Sequence, residues 1–215
     1  MKLDHVDGQG DLIRSAFLYD LLLAILTFGR ERSFRQNTLE MAKIGPGDRV
    51  LDVGCGTGTL AIAAKRLVGP DGAVSGVDAS AEMIARAKAK AARQGLAVTF
   101  EVGTAQKLPF ADAAFDVVLS SLMLHHVPEP TRKDALMEMR RVLKPAGRLL
   151  VVELTQKPSL MSSLIPARLR HSHEHAHAYV EAKALMKDAG FNELGSGSFW
   201  RFAGWVLGQA SPNHA

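Results

Sequence analysis

The apolar positions change rhythm repeatedly along this chain, and the changes predict strands and helices in strict alternation. Residues 11–43 carry Leu12, Ala16, Tyr19, Leu23 and Leu26 at helical spacing, which predicts a long N-terminal helix. Gly45-Pro46-Gly47-Asp48 then forms a turn, and residues 49–53 read as a buried strand. An alanine-rich helix follows over 59–68 and ends at Gly69-Pro70-Asp71-Gly72. Residues 73–77 form a second strand closing on Asp78. Ser80 caps the next helix, with Glu82 in its first turn and Gly95 just past its end. Strands are predicted over 98–102 and 115–120, and a helix over 130–143. Lys144-Pro145-Ala146-Gly147 turns the chain into a fifth strand, 148–154. A helix over 181–189 stops at Gly190, and residues 191–194 and 199–207 read as two closing strands.

Such an order implies an α/β fold, a mainly parallel sheet covered by helices on both faces with right-handed crossovers. Ligands then bind outside the carboxyl ends of the strands, where strand order reverses. The chemistry should gather after strands one to four, at residues 54–58, Asp78, Thr104 with Ala105, and residues 120–126.

Composition narrows the class. A chain of 215 residues with 47% hydrophobic and 22% charged content suits one compact soluble domain. The net charge of +4 is spread without a dense basic cluster, so no nucleic-acid partner is expected. The single cysteine, Cys55, excludes an internal disulfide and fits a reducing compartment. Inside a glycine turn it reads as a small filler and not as a nucleophile. No charged and then apolar opening marks a signal peptide, and the apolar stretch 21–28 is far short of the ~20 residues of a membrane span. A cytoplasmic location is the expectation.

The candidate chemistry centres on Val50-Leu51-Asp52-Val53-Gly54-Cys55-Gly56-Thr57-Gly58. Glycines at alternate positions let the backbone turn tightly and approach a ligand. Asp52, two residues before the first of them, would repel a pyrophosphate. It would attract a ligand bearing an ammonium and a sulfonium, as S-adenosylmethionine (SAM) does. A dinucleotide fingerprint wants its third small residue three positions after the second glycine. That position is Thr59, which disfavours an NAD-dependent oxidoreductase. Asp78 at the second strand end can accept hydrogen bonds from both ribose hydroxyls. Ala79 and Met83 would wall the adenine, Thr104 and Ala105 would touch its edge, and Ser120 and Ser121 would receive the methionine part.

Residues 49–154, with KALMKDAGF at 183–191, resemble the class I SAM-dependent methyltransferases. Four separated segments carry the likeness in order: LDVGCGTG, GVDAS, LPFADAAFDVV with SSLMLHHV, and RVLKPAGRLLVVE. The resemblance implies a Rossmann-like, doubly wound, seven-stranded sheet, with an N-terminal helical lid at 1–44 and the SAM-binding domain at 45–215. Thr104 stands where many members carry an acid. Within the class, the chain is similar to the quinone C-methyltransferases of ubiquinone and menaquinone biosynthesis. Tyr19-Asp20, Phe28-Gly29, Arg32 and Phe34 resemble their first signature, and residues 141–147 through Glu153 their second. Leu23, Glu31 and Phe34 depart from the usual asparagine, histidine and tryptophan. The implied reaction is C- or O-methylation of a small, quinol-like acceptor. Phospholipid N-methylation, another aromatic acceptor, and a non-catalytic SAM-binding module stay open.

An in-line methyl transfer gains most from alignment and exclusion of water. An acceptor that must lose a proton also needs a base, for which His125, beside His126, is the candidate. Tyr19 is the candidate to orient the acceptor. Phe17, Leu21, Leu22, Ile25 and Phe28 make the first helix apolar on more than one face, so it reads as a lid, with peripheral membrane contact or a dimer interface as the alternative. His171, His173, His175 and His177 have metal-binding spacing but read more simply as a solvated loop; no metal is expected.

Overall fold

A computed structural model describes residues 30–155, 178–200 and 203–211. β1 (Arg49–Val53) is buried from its second residue onward, as a strand covered on both faces must be. It lies inside a seven-stranded sheet of order β3-β2-β1-β4-β5-β7-β6. β2 (Ala73–Asp78), β3 (Thr99–Val102), β4 (Phe115–Ser121) and β5 (Leu143–Leu154) join it in parallel. β7 (Ala203–Ala210) runs antiparallel between β5 and β6 (Phe191–Phe199). The chain winds outward from β1 to β3, then restarts at β4 on the other side of β1. That switch point opens a crevice at the carboxyl ends of β1 and β4.

Strand pairing sorts side chains between the two faces. Asp52 pairs with Leu119, which pairs with Leu150; the next row is Val53, Ser120 and Val151. Because alternate residues point to opposite faces, these rows belong to different cores. The Leu119 face packs against α1 (Glu31–Met41), α2 (Thr59–Val68) and α3 (Ala81–Arg93), through Phe34, Ile62 and Ile84 among others. The opposite face packs against α4 (Arg132–Val142) and α5 (Ala178–Asp188), through Leu136, Met139 and Met186. α3 is capped as its sequence suggests: Ser80 Oγ accepts the Met83 N–H at 3.3 Å, with Glu82 in the first turn and Lys90 and Arg93 in the last.

Several boundaries differ from expectation. The fifth strand begins at Leu143, which pairs with Phe115 before the turn 144–147 interrupts the register and Arg148 resumes it opposite Val117. A short 3-10 turn, Glu129–Thr131, precedes α4, so the helix starts at Arg132. Phe199 ends β6 and does not open β7. The sequence Gly195-Ser196-Gly197-Ser198 reads as loop by composition, yet it is strand because the Trp205 indole lies against it. A Cβ on Gly195 or Gly197 would come within 3.2 or 3.1 Å of that ring. Of the long helix expected over 11–43, the described part is α1; the remainder, with Tyr19, and the histidine run 171–177 lie outside the described residues. No described helix is long and apolar enough to cross a membrane.

Candidate cofactor and acceptor site

The chain leaves β1 through Gly54, Gly56 and Gly58, all with positive φ (73°, 53° and 74°). Two of them are also closely packed. A Cβ on Gly54 would lie 2.0 Å from Met123 Cγ, and one on Gly58 would lie 2.6 Å from Phe100 Cζ. The turn is pinned from beneath by Val77, whose carbonyl accepts the N–H groups of Gly54 and Cys55 at 2.8 and 3.0 Å. Across the turn, Lys90 Nζ donates to Thr57 and Thr59 Oγ1 at 2.7 and 2.6 Å, tying the last turns of α3 to the start of α2. Cys55 is buried, and that burial, with Asp52 and Asp78 nearby, pushes its thiol pKa well up. It is a filler of the turn and no nucleophile.

Asp52 is 2% exposed, and its Oδ2 has no hydrogen-bond partner among the described residues. Burial pushes its pKa from 3.8 up to about 7, opposed by the Arg35 guanidinium and the Ala61 backbone and reinforced by Asp78. A buried carboxylate with an idle oxygen at a ligand cleft is suited to a cation. The cleft holds about 400 Å³ including its open mouth, and its walls include Phe34, Arg35 and Thr38 of α1 with Asp52, Cys55 and Ser121. The residues present therefore fit a cationic cofactor at this turn.

Asp78 closes β2 beside the same turn. Its Oδ2 accepts the Gly56 N–H and its Oδ1 the Ser80 N–H, each at 2.9 Å. Each oxygen keeps a lone pair for a further donor, so the residue both shapes the turn and can receive ribose hydroxyls. Ala79 is exposed at the rim while Met83 is 3% exposed beneath it. Thr104 is exposed after β3 and bridges to Lys107, and Ala105 is buried behind it. These positions follow the strand ends in the expected order.

The paired serines separate. Ser121 lines the Asp52 cleft, but Ser120 sits in the Val53 row and faces the α4 side. Ser120 Oγ is buried there without a hydrogen-bond partner among the described residues. His125 is not among the described residues that line that cleft. It lines a second, smaller hollow with Leu124, Arg132, Ala178, Glu181 and Ala182. Its Nδ1 lies 2.6 Å from Glu153 Oε2, and the other Glu153 oxygen accepts the Leu124 N–H at 2.7 Å. Glu153 is 1% exposed at the end of β5. Its contact with His125 fixes the orientation of the imidazole, with the donor and acceptor roles set by the ring's tautomer. Arg132 braces the same loop, donating from Nε to the Val127 carbonyl at 3.0 Å and from Nη1 to both Glu181 oxygens at 2.7 and 2.6 Å.

Glu153, Arg132, Glu181 and Arg35 were not singled out by their chemistry in the sequence. Glu153 had a legible signal: LLVVE ends an apolar strand in one acid, as VLD and SGVD do at Asp52 and Asp78. Arg35 had none, because its place depends on how α1 packs. Among the described residues, no group of three or more His, Cys, Asp or Glu side chains could hold a metal.

Residues 50–147 match the family model described as a methyltransferase domain. The demethylmenaquinone methyltransferase of Bacillus cytotoxicus is 38% identical over 139 residues, covering 64% of this chain and 58% of that protein. The ubiquinone/menaquinone biosynthesis C-methyltransferase UbiE of Pseudomonas paraeruginosa is 35% identical, covering 82% of this chain and 77% of its own length. The chain thus spans well under two thirds of the first of these relatives and about three quarters of the second. Among solved structures, a SAM-dependent methyltransferase from Aquifex aeolicus superposes with a TM-score of 0.70 at 22% identity, covering 91% of this chain and 98% of that one, a likeness of fold. With the sheet order, the glycine turn and these relatives together, the chain belongs to the class I SAM-dependent methyltransferases, in the family of the ubiquinone/menaquinone biosynthesis C-methyltransferases.

Proposed function

We propose that this protein transfers a methyl group from SAM to a small apolar or aromatic acceptor, most simply a ring carbon of a quinol. The observation that carries the reading is Asp52, a buried carboxylate with an idle oxygen where the glycine turn meets the cleft. The cofactor supplies a methyl already activated by its sulfonium. Asp52 holds its ammonium, Asp78 its ribose, and Ala79, Met83, Thr104 and Ala105 the surroundings of its base. Ser121 faces the amino-acid end. His125, oriented by Glu153, takes the proton that the acceptor gives up. A hydrophobic acceptor fits the names of the relatives, which act on demethylmenaquinone or belong to ubiquinone and menaquinone biosynthesis. The reading includes a cytoplasmic location, with peripheral membrane contact through the N-terminal residues when a lipid-borne acceptor is delivered.

Calorimetry with SAM and with NAD tests the cofactor, and only SAM should bind. Incubation with labelled SAM, demethylmenaquinol and, separately, a host lipid extract tests the acceptor. Label in a quinol ring supports the full reading. Label in a phospholipid amine keeps methyl transfer and overturns the quinol; SAM binding without any labelled product leaves a binding module.

A further inference from the structure

We propose that Arg35 on α1 receives the carboxylate of the cofactor's amino-acid end, so that Arg35 and Asp52 together read that end as a zwitterion. The proposal rests on SAM as the cofactor and adds a binding residue from outside the sheet. Arg35 and Asp52 line the same cleft. They stand near enough for the guanidinium to pull the Asp52 pKa down, yet they share no hydrogen bond or ion pair. Two opposite charges that face one cleft without touching are the complement of an α-amino acid, which carries an ammonium and a carboxylate on one carbon.

The hydrogen bonds of Arg35 leave room for such a ligand. Glu31, one turn earlier on α1, accepts from Nε at 2.9 Å and from Nη2. Among the described residues Nη1 has no hydrogen-bond partner, and the side chain remains 14% exposed. Glu31 therefore holds the guanidinium plane by one edge and leaves donors on another, the presentation a carboxylate is recognised by. Were Arg35 present only to neutralise Asp52, it would be expected to bond the idle Oδ2. Among the described residues that oxygen has no partner. Phe34, beside Arg35 in sequence, is 2% exposed and stacked on Phe199 at 5.1 Å. This anchor fixes the helix that carries the arginine over the cleft.

The test compares SAM with decarboxylated SAM, which keeps the adenosine, the sulfonium and the amine but lacks the carboxylate. Calorimetry on the full chain should show SAM binding at least tenfold more tightly. Arg35→Met should weaken SAM at least tenfold and change decarboxylated SAM by less than twofold, so the preference disappears. A wild-type chain without preference between the two overturns the proposal. So does an Arg35→Met chain that loses both ligands equally, the mark of a residue that merely shapes α1. If neither compound binds the wild-type chain, the functional reading falls as well, a result separate from a lost preference.

Discussion

Replacing Asp52 by asparagine should make the ligand-free protein less sensitive to pH while weakening its hold on SAM. A carboxyl whose pKa rises from 3.8 to about 7 on folding binds its proton more tightly folded than unfolded. Its contribution is therefore least unfavourable at low pH. It grows more unfavourable as pH climbs from about 4 to about 7, and is constant above that. At about 1.4 kcal/mol per pH unit the total is roughly 4 kcal/mol, of which roughly 2–3 kcal/mol falls between pH 5 and pH 8. For a protein of this size 1 kcal/mol moves Tm by about 2–4 °C. The wild type should thus lose roughly 5–10 °C over that interval relative to Asp52→Asn. A bound cation reverses the preference by favouring the ionised carboxylate. SAM affinity should rise about tenfold per pH unit from pH 5.5 to near 7 and then level off. Asp52→Asn should flatten that dependence and cost on the order of 2–3 kcal/mol of binding, roughly 30- to 150-fold. Thermal melts and calorimetry across this range supply both readings. Parallel melting curves for the two proteins, or a SAM affinity flat below pH 7, would falsify the electrostatic role given to Asp52.

Other consequences follow from the same geometry. Glu153→Gln should lower methyl transfer by at least tenfold while SAM affinity changes by less than twofold, because its carboxylate touches the His125 loop and not the Asp52 cleft; an equal loss in both would make Glu153 a purely structural group. His125→Asn should lower turnover by about a hundredfold with the same unchanged affinity, measured as labelled product per minute. Gly58→Ala forces a side chain onto φ +74° and against Phe100 and Ala87, for a loss of about 3 kcal/mol in denaturant unfolding. Gly47→Ala, with φ +82° and open space around it, should lose only about 1 kcal/mol, separating backbone strain from steric overlap.

Local patterns determined much of this protein. Apolar runs that end in one acid located β1, β2 and the residues Asp52 and Asp78, because a buried strand must be apolar and its exit is where polar groups reach a ligand. Turn formers and caps located the helices for the same local reasons, Ser80 among them. Tertiary structure decided whatever depended on which way a side chain faces or what packs beside it. Ser120 and Ser121 are alike in sequence, yet a sheet sends neighbours to opposite faces, and only Ser121 reaches the cleft. The glycine-serine stretch of β6 became strand because Trp205, on another strand, fills the space its missing side chains leave. Glu153 met His125 across 28 residues, and Arg35 came to the Asp52 cleft only through the docking of α1. Contacts between distant segments exist only once the sheet has closed, so no local rhythm of apolar residues can encode them.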